Sequence, residues 1–178
     1  MGIEKAIIFL AMNTGLKCSE LSALKRSDID FKTDKLSVTK GLQHIYQKDN
    51  GAKNEWVTLE LNESVQRSIE LPKFVVDALK PLYNGLDEDC YLSTGRLEYV
   101  LPNAVHSRLK ALAVKCGLRN LSFITLRHTF AKRCVKVGID AVSLAKILGI
   151  ANVSRVVRLY YEEKECDSGR LLERLNMV

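Results

Sequence analysis

The sequence predicts a single α+β domain that is mostly helical and has a small antiparallel sheet in its first half. The chain has 178 residues, which is long enough for one domain with a well-buried core. Strand-like segments lie only within residues 36–94, whereas apolar residues recur at helical spacing before this stretch and again after residue 99. Because helices flank the strands instead of alternating with them, the order favours α+β over a parallel βαβ fold.

The first half is predicted to begin with a buried helix. IEKAIIFLAMNT, residues 3–14, is apolar on nearly all sides and is followed by Gly15, a typical residue at a helix end. Pro72 suits the first turn of a later helix. The other elements predicted in this half are a helix over 17–24, strands over 36–47, 56–61, 67–71 and 87–94, a turn over 48–54, and a helix over 73–83.

The second half is predicted to be entirely helical. Gly138 and Gly149 are placed to end two of its helices, and Asp140 is placed to cap the helix that lies between them. The predicted helices cover 101–117, 126–137, 142–148, 153–163 and 171–175.

Positive charge is concentrated in one part of the chain. The formal net charge is +6, from 27 Lys and Arg against 21 Asp and Glu. Residues 103–160 contain 11 of these basic residues, and Asp140 is the only acid among them, whereas residues 51–102 are net acidic. Such asymmetry indicates a surface that binds a polyanion, most often nucleic acid, with a solvated basic face as the alternative.

Several classes of protein are excluded by what the sequence lacks. It contains no P-loop, GxGxxG, GxSxG or HExxH motif, and its three histidines are far apart, so neither a nucleotide cofactor nor a metal site is predicted. Five scattered cysteines without a CxxC pair favour free thiols in a cytoplasmic protein. No uncharged run approaches the roughly 18 residues of a membrane span, and the N-terminus does not read as a secretory signal.

Three blocks carry a resemblance to a known family. They are NTGLKCSELSALKRSDID (13–30), ITLRHTFAKRCVKVGID (124–140) and LAKILGIANVSRVVRLYYEE (144–163). In this order and spacing they resemble the catalytic domain of tyrosine recombinases, the phage and transposon integrase family. RSIELP (67–72) also resembles the strand that ends this family's hairpin. The resemblance implies that residues 1–178 form one integrase-like catalytic domain, without the family's N-terminal DNA-binding domain.

The resemblance also implies a chemistry. Members of this family cut one strand of double-stranded DNA with a tyrosine hydroxyl, which forms a 3′-phosphotyrosine and releases a 5′-hydroxyl, and no metal or cofactor is needed. Two arginines stabilise the charge of the transition state. A hairpin lysine protonates the leaving oxygen, and histidines manage protons. We therefore expect a lineage in DNA integration or recombination, in the cytoplasm of a bacterium or on a phage or mobile element.

Three of the family's six catalytic positions keep its residue type or charge in this sequence. Arg127 matches the second arginine, Tyr160 matches the nucleophile, and Lys17 stands at the first arginine, where charge survives but the bidentate fork is lost. The three substituted positions are Glu63 for the hairpin lysine, and Ile124 and Ile150 for polar residues near the phosphate. The match predicts a partly degraded site with little or no cleavage.

The resemblance to the family leaves alternatives for two positions and adds expected DNA contacts. Lys48 or Lys53 could replace Glu63 in the hairpin, and Tyr161 could replace Tyr160 as the nucleophile position. His128 falls where the family often has a structural histidine. The expected DNA contacts are Lys132, Arg133, Arg155 and Arg158.

Two further possibilities concern the second half of the chain. Residues 140–161 also resemble a helix-turn-helix unit, which would make the protein a DNA-binding regulator without cleavage chemistry. A protein-interaction module without a DNA role is the other alternative. The apolar positions of a final helix over 171–175 allow docking on a second copy of the chain, as in the family, and so predict a homo-oligomer on DNA.

Overall fold

A computed structural model of the chain describes residues 2–45 and 55–162. The predicted α+β class is confirmed, with helices before and after a small set of antiparallel strands. The helices are α1 (Ile3–Thr14), α2 (Cys18–Ala23), α3 (Lys73–Tyr83), α4 (Pro102–Lys115), α5 (Phe123–Lys136), α6 (Ala141–Leu148) and α7 (Val153–Val156), and the strands are β1 (Ile29–Asp30), β2 (Lys35–Val38), β3 (Lys40–Ile45), β4 (Glu55–Glu60) and β5 (Arg67–Glu70).

The strands form two sheets. β2 lies in the centre of a three-stranded sheet of order β1-β2-β5, where Leu36 pairs with both Ile29 and Ile69. All three side chains are buried, because alternate residues of a strand point to the same face and this face covers the core. β3 and β4 form a separate antiparallel hairpin.

Two hydrophobic cores meet along α5. The larger core joins α1 to α4 with the three-stranded sheet, and the smaller core lies among α5, α6 and α7. Near its start, α5 buries Phe123 and Leu126 in the larger core, and one to two turns later it buries Ala131 and Cys134 in the smaller one. The residues between these pairs are therefore held at the junction of the two cores.

Local turn chemistry explains two differences from the predicted elements. The strand predicted over 87–94 is wrong: the segment forms turns, and Tyr91 makes only isolated bridges to Lys25 and Arg96. α5 begins at Phe123 instead of residue 126, because the Ser122 hydroxyl accepts the Thr125 backbone N–H while the Thr125 hydroxyl accepts that of Ser122.

The end of the described chain also differs from a simple helix. The helix predicted over 153–163 is an α-helix only over Val153–Val156, and it continues as a π-helical segment over Val157–Tyr161. The wider π-turn changes the direction in which successive side chains project, and such turns are frequent at functional sites.

Some predictions fall outside the described residues. These are the turn over 48–54, the helix over 171–175, and the residues Lys48 and Lys53. Within the ranges 2–45 and 55–162, none of the helices has the length and apolar character that crossing a bilayer requires.

Candidate active site

An open cleft of about 570 Å³ lies between the start of α2, one face of α5 and the chain from Gly149 to Tyr160. It brings together residues that are more than 100 positions apart in the sequence. Seven of the residues that the sequence singled out line it: Lys17, Ile124, Arg127, His128, Ile150, Arg155 and Tyr160.

Arg127 is fixed at the base of this cleft by two backbone carbonyls. Its Nη1 donates to the Gly15 carbonyl at 2.7 Å, and its Nη2 donates to the Leu148 carbonyl at 2.6 Å. Burial lowers the pKa of the guanidinium, and Glu20 partly opposes this effect. The two bonds hold the charged group in one orientation at the junction of the two cores.

Lys17 brings a second cation to the cleft from the start of α2. The surrounding protein desolvates its ammonium group and lowers its pKa, while Glu20 raises the pKa and nearby arginines, Arg127 first, lower it further. Arg155, exposed on α7, is the third cation of the lining. The arrangement concentrates positive charge beside one tyrosine.

A buried ion pair supports this arrangement from behind. Arg67 of β5 donates Nη2 to Glu20 Oε2 at 2.9 Å and Nη1 to Glu20 Oε1 at 3.1 Å, with side chains only 6% and 1% exposed. Its Nε donates to the Ile147 carbonyl at 2.8 Å, and the Glu20 carboxylate also accepts the Lys17 backbone N–H. Sequence reasoning missed this pair, which joins residues 47 positions apart.

Tyr160 and Tyr161 point in different directions. The Tyr160 hydroxyl lies 2.9 Å from His128 Nδ1 and lines the cleft. The Tyr161 hydroxyl instead donates to the Ile139 carbonyl. Burial raises the pKa of Tyr160, whereas Arg127 and Arg155 lower it. Of the two neighbouring tyrosines, Tyr160 is the one that faces the three cations.

His128 is a lining residue that sequence reasoning treated only as structural. It follows Arg127 directly on α5, is half-buried, and contacts the Tyr160 ring as well as its hydroxyl, with ring centroids 5.5 Å apart. Its position next to Arg127 in the motif was the available signal, but its contact with Tyr160 depends on tertiary structure.

Aliphatic side chains occupy the part of the cleft where the family's polar residues were expected. Ile124 is 66% exposed, Leu159 is 44% exposed, and both line the cleft together with Ile150. Glu63 lies in an exposed turn outside the cleft lining. The predicted contacts Lys132, Arg133 and Arg158 are exposed but do not line the cleft.

Metal binding has no structural support in the part of the chain that the structure describes. Within it, no three His, Cys, Asp or Glu side chains are grouped closely enough to hold a metal ion.

The fold is that of tyrosine recombinase catalytic domains. The Tn1549 transposon integrase in complex with transposon right end DNA matches 98% of this chain and 59% of its own at a TM-score of 0.75 and 21% identity. The crystal structure of XerA recombinase matches 98% of this chain and 56% of its own at a TM-score of 0.67 and 22% identity. At these identities the likeness establishes the fold.

The sequence comparison identifies the family. The profile of the phage integrase family matches residues 3–165, and the chain belongs to that family. The family match also accounts for the segment that resembled a helix-turn-helix unit, whose second helix is only Val153–Val156 before the π-helical segment.

Curated relatives are tyrosine recombinases of greater length. The tyrosine recombinase XerC-like protein of Caldanaerobacter subterraneus subsp. tengcongensis is 25% identical over 190 residues, which cover 97% of this chain and 49% of the relative. Tyrosine recombinase XerA of Thermococcus onnurineus is 28% identical over 182 residues, which cover 97% of this chain and 57% of the relative. The chain therefore spans about half the length of the curated relatives it matches.

Proposed function

We propose that the chain is the DNA-binding catalytic domain of an integrase-type recombinase, and that its cleft holds one phosphodiester of double-stranded DNA beside Tyr160. The convergence of Lys17, Arg127 and Arg155 on the side of the cleft that Tyr160 faces carries this proposal. Cations bind phosphate oxygens strongly, and an arginine fork matches their geometry. The aromatic hydroxyl beside them supplies a nucleophile.

In the proposed reaction, the Tyr160 oxygen attacks phosphorus and forms a 3′-phosphotyrosine, while the 5′-oxygen leaves. Arg127 stabilises the negative charge that develops on the nonbridging oxygens. Because the Gly15 and Leu148 carbonyls already hold its guanidinium, little reorganisation is needed during the reaction. Reversal of the step rejoins the strand.

We propose that cleavage is slow because the cleft lacks several polar groups. Ile124 and Ile150 offer no hydrogen bond to a phosphate, and Glu63 cannot replace a lysine as acid from outside the cleft. Loss of one preorganised donor commonly lowers the rate by about 100- to 1,000-fold. Since such groups act together, the losses are not additive, but the expected result is DNA binding with weak chemistry.

A trapping experiment tests the nucleophile. The chain is incubated with a pool of nicked duplexes whose sequence around the nick is randomised, so that the short 5′-hydroxyl fragment dissociates after cleavage and the covalent adduct accumulates. We expect a slowly forming protein–DNA adduct on a denaturing gel, lost in Tyr160→Phe and retained in the matched variant Tyr161→Phe. The absence of an adduct, or an adduct that survives Tyr160→Phe, would contradict the proposal.

A binding experiment tests the phosphate contacts. We expect DNA affinity to fall steeply with salt and Arg155→Gln to lower the slope of log affinity against log salt by about 0.9, since one phosphate contact is lost. The control is Lys110→Gln, which removes the same charge from an exposed position on α4 that does not line the cleft. Equal slopes for the two variants would contradict a phosphate in the cleft, and salt-independent binding would favour a protein-interaction module.

The cellular setting follows from the same proposal. The partner is chromosomal or mobile-element DNA in the cytoplasm of a bacterium or its phage. Two or more copies assemble on that DNA through the apolar residues of 171–175. Cross-linking of the chain with and without DNA, compared with the change Leu172→Asp, tests this assembly.

A further inference from the structure

We propose that His128 is the general base that takes the phenolic proton from Tyr160; this inference rests on the function proposed above. The Tyr160 hydroxyl lies 2.9 Å from His128 Nδ1, within direct hydrogen-bond reach. In the neutral imidazole that carries its proton on Nε2, Nδ1 is an acceptor, and the tyrosine donates to it.

Tyr160 needs such a partner. A free phenol has a pKa of about 10, and burial raises that of Tyr160 further, although Arg127 and Arg155 act in the opposite direction. The hydroxyl is therefore protonated at neutral pH, and a protonated phenol is a poor nucleophile. A base in contact with the hydroxyl removes this barrier at the moment of attack.

The chemistry of the lining leaves His128 as the acceptor. Besides Tyr160, the polar side chains described in the lining are the three cations, His128 and Asn152. The cations Lys17, Arg127 and Arg155 are donors, and the side-chain Oδ1 of Asn152 accepts the Arg155 backbone N–H at 3.3 Å. Imidazole is the side chain whose ordinary pKa lies near neutrality.

The fold holds both members of the pair. His128 follows Arg127, whose two carbonyl bonds fix this part of α5, and the helix is buried in both cores on either side. Tyr160 is held by its neighbour, since the Tyr161 hydroxyl donates to the Ile139 carbonyl. The pair therefore keeps its geometry before DNA binds, as an efficient base requires.

The charged groups that face the pair come from three elements. Arg127 on α5, Arg155 on α7 and Lys17 at the start of α2 line the same cleft as His128. A bound phosphodiester would neutralise part of this positive charge beside the pair.

The proton and electron balance is complete without a cofactor. His128 Nδ1 takes the proton, the bond between Tyr160 Oη and phosphorus forms, and the bond between phosphorus and the 5′-oxygen breaks. The leaving oxygen keeps the electron pair and takes a proton from water, because Glu63 lies outside the cleft. In the reverse reaction the imidazolium returns its proton to Tyr160.

An activated substrate isolates this step. Thymidine 3′-(4-nitrophenyl phosphate) has a leaving group that needs no acid, and it is independent of the DNA site. We expect the wild-type chain to release one equivalent of nitrophenolate and gain a thymidylyl group on Tyr160. His128→Asn should lower the rate about 100-fold at pH 7. His106→Asn is the matched control, because His106 stacks on Phe123 outside the cleft lining.

The pH profile separates a base from a structural role. The wild-type rate should rise through the titration of an imidazole and then level off, whereas that of His128→Asn should keep rising as more phenolate forms. If His128→Asn keeps the wild-type profile, or is slowed equally at every pH, the role of His128 is overturned but the proposed function is not. A wild-type chain that gains no thymidylyl group would overturn the proposed function as well.

A measurement on the wild-type chain removes the dependence on variant folding. Nitrogen NMR of the imidazole at pH 8 should show Nδ1 unprotonated and Nε2 protonated. A proton on Nδ1 would overturn the inference whatever the variants do, because that nitrogen could then not accept the phenolic proton.

Discussion

Arg67 and Arg127 both bind carbonyls at the C-terminal end of α6, but they end in different electrostatic states. Arg67 donates to the Ile147 carbonyl and pairs through both terminal nitrogens with Glu20. Arg127 donates to the Leu148 carbonyl and to that of Gly15, so its two bonds go to neutral oxygens. The first arginine is neutralised inside the protein, and the second keeps a net charge at the base of the cleft.

The C-terminal end of α6 therefore supports the buried ion pair and also positions Arg127 in the cleft. Carbonyls at a helix C-terminus attract cations, so α6 orients both guanidinium groups. Glu20 neutralises only one of these guanidinium groups, because it forms a bidentate pair with Arg67 and acts on Arg127 only at longer range. The chain thus retains a firm scaffold for Arg127 even though Ile124 and Ile150 make the surrounding surface apolar.

The largest effect is expected at the buried ion pair of Arg67 and Glu20. Glu20→Gln leaves the Arg67 charge buried without a carboxylate, which should lower the free energy of unfolding by about 3–5 kcal/mol. Urea denaturation followed by circular dichroism measures this change. The same chemical change at an exposed pair, Asp89→Asn opposite Lys25, should have no measurable effect, because those side chains are 73% and 31% exposed. Equal effects at the two sites would show that Arg67 does not need Glu20.

A smaller effect on stability, but a clear effect on DNA binding, is expected at Arg127 in the cleft. Arg127→Gln removes two hydrogen bonds, to the Gly15 and Leu148 carbonyls, and should lower the free energy of unfolding by about 1–3 kcal/mol in total. It should also lower the salt dependence of DNA binding by one phosphate contact.

Arg127→Lys is the control for charge. It should keep the salt dependence while losing the two-point hydrogen bonding, since an ammonium group is a single point charge. If Arg127→Gln left the salt dependence of DNA binding unchanged, Arg127 would be as inaccessible to anions as Arg67. That result would contradict the difference between the two arginines.

Much of the fold could be predicted because its signals are local. The helix over 3–14 and the one that Asp140 caps follow from side chains and glycines adjacent in sequence. The strand predicted over 87–94 was wrong because the aspartates of this segment and the glycine that follows it favour turns.

The site was only partly predictable, for a physical reason. Motif spacing led to Arg127, Tyr160 and Lys17, but the ion pair joins residues 47 positions apart, and the tyrosine–histidine contact joins residues 32 apart. No spacing rule connects such residues. The difference between Tyr160 and Tyr161 depends on tertiary contacts, since the first hydroxyl lies against His128 and the second donates to the Ile139 carbonyl.

The smallest effect sharpens the comparison by testing how rigidly Arg67 is held. Gly149 has φ +61°, and a Cβ there would lie 2.5 Å from Arg67 Nη1 and 3.0 Å from the Val65 carbonyl oxygen. Gly117 has φ +68°, but a Cβ there would meet nothing within 4 Å. Both Gly→Ala changes carry the strain of a left-handed residue, and only Gly149→Ala must also displace the arginine. We expect Gly149→Ala to destabilise the chain by about 1 kcal/mol more than Gly117→Ala in urea denaturation. Equal destabilisation would mean that Arg67 moves aside freely. The ion pair would then be too mobile to support the position of Arg127.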